Sequence, residues 1–318
     1  MITVFDIGAR YGVHETWSSL FKRNQIEYFA FEIDAEESNR LKKKYSNFPN
    51  YKIFQMGFSD KSEEIALNVL SHKGQSSFLE PNLDSKWFGS HRKNESEVVA
   101  KLNYKLSTLF EFAHQQNLVP DFLKIDTEGY DLKVLHGSIG KGTKANKLID
   151  GILAISCEVY FEKVFENTPL FGEIFKFLNK CGFTLANLKY DGRGIPASYF
   201  CPNPGKYGFI SGCEAVFIKN STTITLQEKI KLVLFCFYNQ LEDYSNSLLI
   251  GLGNRDRILA QENNLWPEVK YIYALSVKKL MYIPGDSFEK AKIDYQLIFN
   301  EEFPEMHHFY ESDWFNPA

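Results

Sequence analysis

The sequence has little of what would place it in a membrane, on a nucleic acid or outside the cell. Its longest unbroken apolar run is Leu232–Tyr238, far below the roughly 20 residues that a membrane-spanning helix needs. The net charge is −4, so the chain has no excess of basic residues for a nucleic-acid partner. Asp6 and Arg10 interrupt the apolar start, which argues against an export signal. We therefore expect no transmembrane segment and no nucleic-acid partner.

Cysteine motifs are also missing. The cysteines are Cys157, Cys181, Cys201, Cys213 and Cys236. They form no C-x-x-C pair, and none has a histidine at ligand spacing. An odd number of widely spaced cysteines favours reduced thiols, which are typical of the cytoplasm. We expect a cytoplasmic protein without a structural zinc site.

What the 318 residues do contain is an alternation of short apolar runs and helical patterns, over the first 220 residues. The runs Ile2–Asp6, Tyr28–Glu32 and Phe122–Asp126 are each followed by a stretch of helical length. This alternation predicts an α/β fold with a mostly parallel, doubly wound sheet. Beyond residue 220 the patterns are helical, with 14 acidic and 9 basic side chains. We expect a domain over residues 1–220 and a helical C-terminal region over residues 221–318.

The carboxyl ends of the first two predicted strands carry residues that suit a cofactor. In an open α/β sheet, ligands bind beyond the carboxyl ends of the strands. The first strand ends in Asp6 and a turn with Gly8 and Gly12, where glycine lets the backbone approach a ligand. The second ends in Glu32, whose carboxylate can accept hydrogen bonds from ribose hydroxyls. A purely structural role as turn glycines is the alternative for Gly8 and Gly12.

The glycine turn lacks the G-x-G-x-x-G spacing that a dinucleotide requires, because the next glycine after Gly8 is Gly12. Arg10 stands near the place of the middle glycine. Its guanidinium suits a carboxylate, such as that of the methionine half of S-adenosylmethionine. A surface arginine at a helix start is the alternative. The spacing favours S-adenosylmethionine over a nicotinamide cofactor.

The segment Asp121–Gly137 carries the strongest catalytic signal. An apolar strand leads to Asp126, and Glu128 follows in the turn before a helix. Two carboxylates this close repel each other, so stability explains the pair poorly. We predict that Asp126 and Glu128 are catalytic. Capping of the following helix by Asp126 or Thr127 is the alternative.

Several motifs together resemble those of the FkbM-type methyltransferases, which are S-adenosylmethionine-dependent O-methyltransferases. They are Asp6-Ile7-Gly8-Ala9 with Gly12, Phe31-Glu32, Gly74–Phe78, and Leu123–Gly129 with Val134–Gly137. The resemblance covers about residues 1–220. The chain departs from the family in two places: Ile33-Asp34 follows the acid where proline is usual, and Arg10 stands where asparagine is common.

This resemblance implies a Rossmann-like class I methyltransferase sheet and S-adenosylmethionine as the cofactor. Read onto this sequence, it implies a set of cofactor-binding residues at the strand ends: Asp6, Gly8, Ala9, Gly12, Glu32, Gly57, Phe58, Ser59 and Asp126. The charge of its guanidinium adds Arg10 to this set. Within this set Glu32 would hold the ribose, and Gly57–Ser59 would lie near the adenine. Asp126 would lie beside the methionine moiety, with Glu128 facing the acceptor.

Three further residues are candidates for the acceptor side. His72 and His91 lie between the third strand and the strand that ends at Asp126, and either could act as a general base. Glu158 ends the apolar strand Ile152–Glu158, with a solvated or capping role as its alternative. Asp126 and Glu128 offer only two strong ligands for a cation, so we expect no metal.

The family association and the aromatic residues predict that the acceptor is a hydroxyl of a sugar, a glycan or a small natural product. Two other functions stay open. The chain could be a non-catalytic interaction scaffold that binds through its acidic helical region. It could also be an NAD-dependent oxidoreductase, which the missing glycine spacing disfavours. The C-terminal helices could join copies of the chain in a homo-oligomer.

Overall fold

A computed structural model describes residues 1–89, 92–140, 148–189, 194–195, 209–220, 224–281 and 285–304. The predicted acceptor residue His91 lies outside these ranges. No helix within them combines the length and the apolar character that crossing a membrane requires.

The described residues form eleven strands, several of them rich in aromatic and β-branched side chains. They are β1 (Ile2–Ile7), β2 (Ile26–Phe31), β3 (Tyr51–Phe54), β4 (Glu63–Leu70), β5 (Val98–Leu106), β6 (Phe122–Ile125), β7 (Ala154–Tyr160), β8 (Phe183–Lys189), β9 (Gly194–Ile195), β10 (Phe209–Ile210) and β11 (Gly212–Lys219).

The same residues form eleven α-helices. They are α1 (Glu15–Lys22), α2 (Ala35–Lys44), α3 (Lys86–Gly89), α4 (Leu109–Gln116), α5 (Asp131–His136), α6 (Phe171–Lys180), α7 (Leu226–Tyr238), α8 (Glu242–Ile250), α9 (Asn254–Gln261), α10 (Trp266–Leu280) and α11 (Ser287–Phe299). Several begin at a side-chain cap. Thr108 caps α4 and Thr225 caps α7, each in a capping box with a glutamate three residues later.

Seven strands form the main sheet of the described chain, in the order β3-β2-β1-β6-β7-β11-β8. Strand β11 is antiparallel to β7 and to β8, and the other neighbouring pairs are parallel. The order reverses direction between β1 and β6, which is where an open α/β sheet binds its ligand. The predicted α/β, Rossmann-like class I methyltransferase sheet with C-terminal helices is confirmed.

Phenylalanine rings fill the core on one face of this sheet. Phe31 of β2 meets Phe5 of β1 and Phe112 of α4, with ring centroids 5.3 and 4.9 Å apart. Phe54 of β3 lies 5.0 Å from Phe112, again edge to face. These separations are the favourable ones for aromatic pairs, so the rings add orientation to the burial of apolar area. The strands that carry the candidate acids are therefore held in place by ring packing on one face of the sheet.

The chain divides into two compact units. One contains Ile2–His14 and Ile26–Asn220, and it holds the whole seven-stranded sheet. The other contains Met1, Glu15–Gln25 and Ser221–Ala318, so it joins α1 to α7–α11. The domain boundary at residue 220 stays a prediction, and the compact units differ from it by grouping α1 with the C-terminal helices.

Contacts of α1 inside the helical unit explain this grouping. The Trp17 ring packs on Phe235 of α7, with centroids 5.7 Å apart. Arg23, just beyond α1, pairs with the buried Glu268 of α10 at 2.6 Å. Tyr238 donates a hydrogen bond to the same carboxylate at 2.8 Å. Helix α1 is thus held in this unit by ring packing and by a buried charge that has two partners.

The ends of β1 and β6 approach each other so closely that residue 8 has room only for glycine. Gly8 has φ +80°, and a Cβ atom there would lie 1.9 Å from the carbonyl oxygen of Asp126. An L residue would be strained by this backbone conformation and would also collide with the backbone of Asp126. The glycine predicted to approach a cofactor is therefore also required by the packing of two strand ends.

We expect Gly8→Ala to lower the free energy of unfolding by at least about 2 kcal/mol, because strain and collision add. Chemical denaturation would measure the loss. Gly172→Ala is the matched control, since Gly172 lies in α6 and a Cβ atom added there would meet no other atom within 4 Å. That change should be neutral or stabilise by up to about 1 kcal/mol. Equal losses in the two variants would contradict the packing argument.

Candidate active site

The predicted acids stand on four neighbouring strands of the sheet. Asp6 lies in β1, Glu32 directly follows β2, Asp126 directly follows β6, and Glu158 lies near the end of β7. These strands are consecutive in the order β2-β1-β6-β7. Since parallel strands end at the same edge, the structure brings all four carboxylates to the carboxyl edge of the sheet.

The glycine turn after β1 is fastened to its surroundings by backbone hydrogen bonds. The amides of Gly8 and Ala9 both donate to the carbonyl of Phe31, at 3.0 and 3.1 Å. Gly12 has φ +100°, and a Cβ there would lie 2.4 Å from the hydroxyl of Tyr45. The turn is therefore tied to the end of β2, and its second glycine is needed for the approach of a tyrosine.

Glu32 is buried, with 5% of its surface exposed. The Asp34 amide donates to its Oε1 at 2.8 Å. Burial raises the pKa of Glu32 to about 7, although this hydrogen bond and the charge of Arg10 lower it. Near neutral pH the carboxylate is thus only partly ionised. A ligand that donates hydrogen bonds to it would favour the ionised form.

Arg10 points towards the ribose-binding side predicted for Glu32. Its guanidinium lies 3.2 Å from the carboxylate of Asp34, which also caps α2 by accepting from the amides of Glu36 and Glu37. A contact of Arg10 with the carboxylate of a methionine moiety stays a prediction. In this structure its partner is an acid that follows the second strand.

Lys124 is a charged residue whose role the sequence analysis did not predict. It lies in the otherwise apolar strand β6 and is 9% exposed. Its Nζ lies 3.3 Å from Oδ1 of Asp6 and 3.4 Å from Oδ2 of Asp126. Burial lowers the pKa of Lys124, but the carboxylates of Asp6, Asp126 and Glu214 outweigh burial and raise it above its usual value. The signal in the sequence was a lysine inside a buried strand.

Asp6 has a second partner besides Lys124. Its Oδ2 accepts a short hydrogen bond from the hydroxyl of Tyr28, which in turn accepts from the backbone amide of His14 at 3.1 Å. Desolvation raises the pKa of Tyr28 well above its usual value, and Asp6 raises it further. The tyrosine therefore stays a donor, and both oxygens of the buried Asp6 face a positive or donating group.

The polar row continues across the same face of the sheet. Asp6 is paired in register with Lys124, and Lys124 with Ser156 of β7. The Ser156 hydroxyl donates to Glu214 of β11, and Lys189 lies 3.3 Å from the same carboxylate. Charged and polar side chains therefore cross β1, β6, β7, β11 and β8 on the face opposite the phenylalanine core.

Asp126, Glu128 and Glu158 form a cluster of carboxylates. One oxygen of each lies within 4.8 Å of one oxygen of the others. Hard oxygen ligands in this number can serve a divalent cation. The expectation of no metal rested on two ligands, and Glu158 supplies a third. The absence of a metal stays a prediction, but the argument that only two ligands are present no longer supports it.

Asp131 adds a fourth acid beside this cluster. It is 1% exposed, and its Oδ2 accepts from the Thr127 hydroxyl at 3.1 Å. Burial raises the pKa of Asp131 well above its usual range, and the charges of Glu158 and Asp126 raise it further. Asp131 therefore favours its neutral form, and Lys124 is the cation paired with Asp126.

The segment expected near the adenine lies largely in the core. The Phe58 ring packs against Phe31, with centroids 5.0 Å apart, and the buried Ser59 donates to Glu63 at 2.6 Å. A Cβ at Gly57 would lie 2.8 Å from the side chain of Ile33. The roles of these three residues toward an adenine stay predictions, and through their side chains they contact other protein groups.

Two other residues lie near Glu32 and the glycine turn. Burial raises the pKa of Tyr104 of β5, and the nearby charges of Asp34 and Glu32 raise it further. His72 flanks Gly74, because a Cβ on this glycine would lie 3.1 Å from the His72 ring and 2.8 Å from the Tyr11 hydroxyl. His72 is thus brought beside the glycine turn.

Comparison with known proteins identifies the family of the chain and leaves the roles of the single residues as predictions. The methyltransferase FkbM domain matches residues 6–185, a range that includes every predicted site residue. No curated protein matches the chain.

Solved structures with similarity to the chain include three methyltransferases. The precorrin-6y C5,15-methyltransferase of Geobacter metallireducens GS-15 is 11% identical, with 69% of this chain and 80% of that chain covered and a TM-score of 0.31. A SAM-dependent methyltransferase of Aquifex aeolicus is 12% identical, with coverages of 68% and 81% and a TM-score of 0.29. The 23S rRNA methyltransferase ErmE is 10% identical, with coverages of 94% and 91% and a TM-score of 0.26.

We expect Lys124→Met to lower the free energy of unfolding by about 3–5 kcal/mol, because it leaves the buried Asp6 without its cation. Urea denaturation would measure this. Lys133→Met is the control, since Lys133 of α5 is half exposed and lies 3.9 Å from Asp60. Its loss should be below about 1 kcal/mol. If both lysines can be replaced at the same small cost, the ammonium of Lys124 does not hold the strand ends together.

Proposed function

The chain belongs to the methyltransferase FkbM family, and we propose that it transfers the methyl group of S-adenosylmethionine to a hydroxyl of a sugar, a glycan or a small natural product. The observation that carries the proposal is the meeting of the glycine turn after β1 with the acids after β6. Asp6 and Asp126, one from each strand, share the ammonium of Lys124. A cofactor bound across this edge would thus lie beside Glu128.

The residues at the edge fit S-adenosylmethionine. Glu32 is a buried carboxylate whose Oε1 accepts one backbone hydrogen bond, so it can accept others from ribose hydroxyls. The glycine turn offers a close approach to backbone, and Tyr104 lies near Glu32. When bound, the cofactor supplies a methyl group activated by its sulfonium. The methionine part of the cofactor would be held by the glycine turn and the neighbouring strand ends, through Asp6, Gly8, Ala9, Gly12 and Asp126.

On the acceptor side, the protein must align a hydroxyl with the methyl group and remove its proton. We assign proton removal to Glu128, which follows the strand end and lies in the partly exposed part of the acid cluster. Asp126 is paired with Lys124, so its carboxylate is better suited to binding the positive methionine ammonium than to accepting a proton. His72 is a second acceptor-side candidate, on the side of the glycine turn.

Charge at the acceptor side favours a neutral acceptor. Asp126, Glu128 and Glu158 would repel a phosphate or a carboxylate held close to them. A sugar or natural-product hydroxyl avoids this repulsion, and a nucleic acid does not. The acceptor class is tested with labelled S-adenosylmethionine and a panel of free sugars, glycosides, nucleotide sugars, polyketide-like alcohols and RNA. If RNA were the one member of the panel to be methylated, the proposed acceptor class would be wrong.

The pKa of Glu32 predicts a pH-dependent affinity for the cofactor product. Ribose hydroxyls donate best to an ionised carboxylate, and the protonated fraction grows below pH 7. We expect S-adenosylhomocysteine to bind about tenfold more weakly at pH 6 than at pH 8, measured by calorimetry. Glu32→Gln should bind about 10 to 100-fold more weakly at pH 8 and lose this pH dependence. A retained slope in Glu32→Gln would assign the titration to another group.

Neutralising the two turn acids should have different effects. Asp126→Asn should weaken S-adenosylhomocysteine binding and lower turnover, because it removes a charge from the methionine side. Glu128→Gln should leave that binding within about twofold and lower methyl transfer by roughly two to four orders of magnitude. Calorimetry and transfer of labelled methyl to the acceptor found in the panel give the two readouts. Normal turnover by Glu128→Gln would move the base elsewhere, with His72 the next to substitute.

A further inference from the structure

Tyr104 lies in β5, a strand whose side chains are mostly exposed. Its own side chain is half-buried, whereas those of the flanking Asn103 and Lys105 are exposed. Within the described part of the chain, no group forms a hydrogen bond with its hydroxyl, and no aromatic ring packs on its ring. A buried or half-buried tyrosine usually has a partner for its hydroxyl. None of the sequence motifs gives Tyr104 a role.

Other tyrosines of the same compact unit do have partners inside the protein. The hydroxyl of Tyr28 donates to the carboxylate of Asp6. The ring of Tyr51 stacks on that of Tyr45, with centroids 4.1 Å apart. Tyr104 has neither kind of partner among the described residues, so its hydroxyl and its ring are both available to a ligand.

The end of β5 is fixed beside the segment that is predicted to lie near the adenine. The amide of Ser107, the residue after β5, donates to the carbonyl of Gly57 at 3.4 Å. A Cβ at Gly57 would lie 3.0 Å from the side chain of Leu106 and 2.8 Å from that of Ile33. Since Ile33 directly follows Glu32, the end of β5 lies close to the acid that is predicted to hold the ribose.

Strand geometry extends this placement to Tyr104. Side chains two residues apart in a strand lie on the same face, about 7 Å from each other, so Tyr104 shares a face with Leu106. Burial raises the pKa of Tyr104, and the charges of Asp34 and Glu32 raise it further, so the hydroxyl lies near both acids and keeps its proton. Yet Oε1 of Glu32 accepts from the amide of Asp34, and no hydrogen bond joins Glu32 to Tyr104. A ligand held by Glu32 would therefore lie near a hydroxyl that can donate.

A ribose hydroxyl suits these two groups together. It can donate one hydrogen bond, and its oxygen can accept others. An ionised carboxylate only accepts, so Glu32 can take the proton of a ribose hydroxyl but offers nothing to its oxygen. The Tyr104 hydroxyl supplies the missing donor. The two side chains thus satisfy both the donor and the acceptor of one ribose hydroxyl, which the carboxylate alone does not.

We propose that Tyr104 is a cofactor-binding residue at the adenosine end of the site, where its hydroxyl donates to a ribose hydroxyl that Glu32 also holds. The proposal rests on the proposed function, in which S-adenosylmethionine binds at the carboxyl edge of the main sheet. It adds to the site a strand of the separate β4–β5 sheet. A strand outside the seven-stranded sheet thus contributes to the recognition of the cofactor.

The experiment is calorimetry on the full-length protein with S-adenosylhomocysteine and with its 2′-deoxy and 3′-deoxy derivatives. Tyr104→Phe should weaken binding of S-adenosylhomocysteine about five- to tenfold, because one hydrogen bond is lost. One of the two deoxy derivatives should bind the parent and Tyr104→Phe equally well, since that hydrogen bond is missing from both complexes. Tyr104→Ala should weaken binding at least as much as Tyr104→Phe, because it also removes the ring.

Asn103→Ala is the matched control, since Asn103 is the neighbouring residue of β5, lies on the opposite face and is exposed. This variant should bind all three ligands as the parent does. If it weakens S-adenosylhomocysteine as much as Tyr104→Phe does, the effect belongs to the strand as a whole, and the contact of Tyr104 with the ribose is wrong.

A second measurement reports directly on the place of Tyr104. With all tyrosines replaced by 3-fluorotyrosine, the ¹⁹F NMR signal of Tyr104 is assigned by its loss in Tyr104→Phe. Adenosine should shift this signal as S-adenosylhomocysteine does, whereas methionine should leave it unchanged. A signal that responds to neither adenosine nor S-adenosylhomocysteine, or that responds to methionine, would overturn the assignment to the adenosine end.

Failure of this proposal can be distinguished from failure of the proposed function. If the parent binds S-adenosylhomocysteine and Tyr104→Phe binds it equally well, the cofactor assignment stands and the role of Tyr104 falls. Unchanged binding with reduced methyl transfer would place Tyr104 on the acceptor side, which also contradicts the proposal. If the parent itself does not bind S-adenosylhomocysteine, the cofactor assignment fails, and the role of Tyr104 fails with it.

Discussion

The ammonium of Lys124 joins the two strand ends on which the candidate site is built. It lies within 3.4 Å of carboxylates from β1 and β6. Without a cation there, Asp6 would be a charge buried among strands, which is costly in a medium of low dielectric constant. With it, two acids can stand side by side at the point where the sheet reverses its order. The glycine at residue 8 completes the constraint, since it lets the β1 turn touch the backbone of Asp126.

The ammonium of Lys124 also determines how charge is distributed in the site. Lys124 balances part of the charge of Asp6 and Asp126, and the acids beyond it, Glu128 and Glu158, share the hydroxyl of Tyr160. The edge as a whole remains negative. Such a field suits a ligand with a sulfonium and an ammonium group, and it disfavours an anion in the same place. Binding of a cationic cofactor and rejection of anionic acceptors would then have one electrostatic origin.

The position of the acids could be predicted from the sequence, because it depends only on where apolar runs end and on parallel strands ending at one edge. No further information is needed to place Asp6, Glu32 and Asp126 at that edge. The pairing of Lys124 with Asp6 depends on strand register, which the pattern does not contain. The partner of β4 cannot be predicted from the pattern either: β4 pairs with the distant Val98–Leu106 and contacts the nearby Ser77 through one isolated bridge. Such long-range choices are decided by packing.

The grouping of α1 with α7–α11 has a consequence for how the chain acquires its structure during synthesis. Helix α1 leaves the ribosome early, whereas Phe235 and Glu268, which hold it, are made some two hundred residues later. At ordinary translation speeds this delay is about 10–40 s. Throughout it, Trp17 has no ring of α7 to cover it. The nascent chain therefore carries the apolar side chain of Trp17 without its partner ring directly after the first strand, which is the kind of surface that chaperones shield until the last helices emerge.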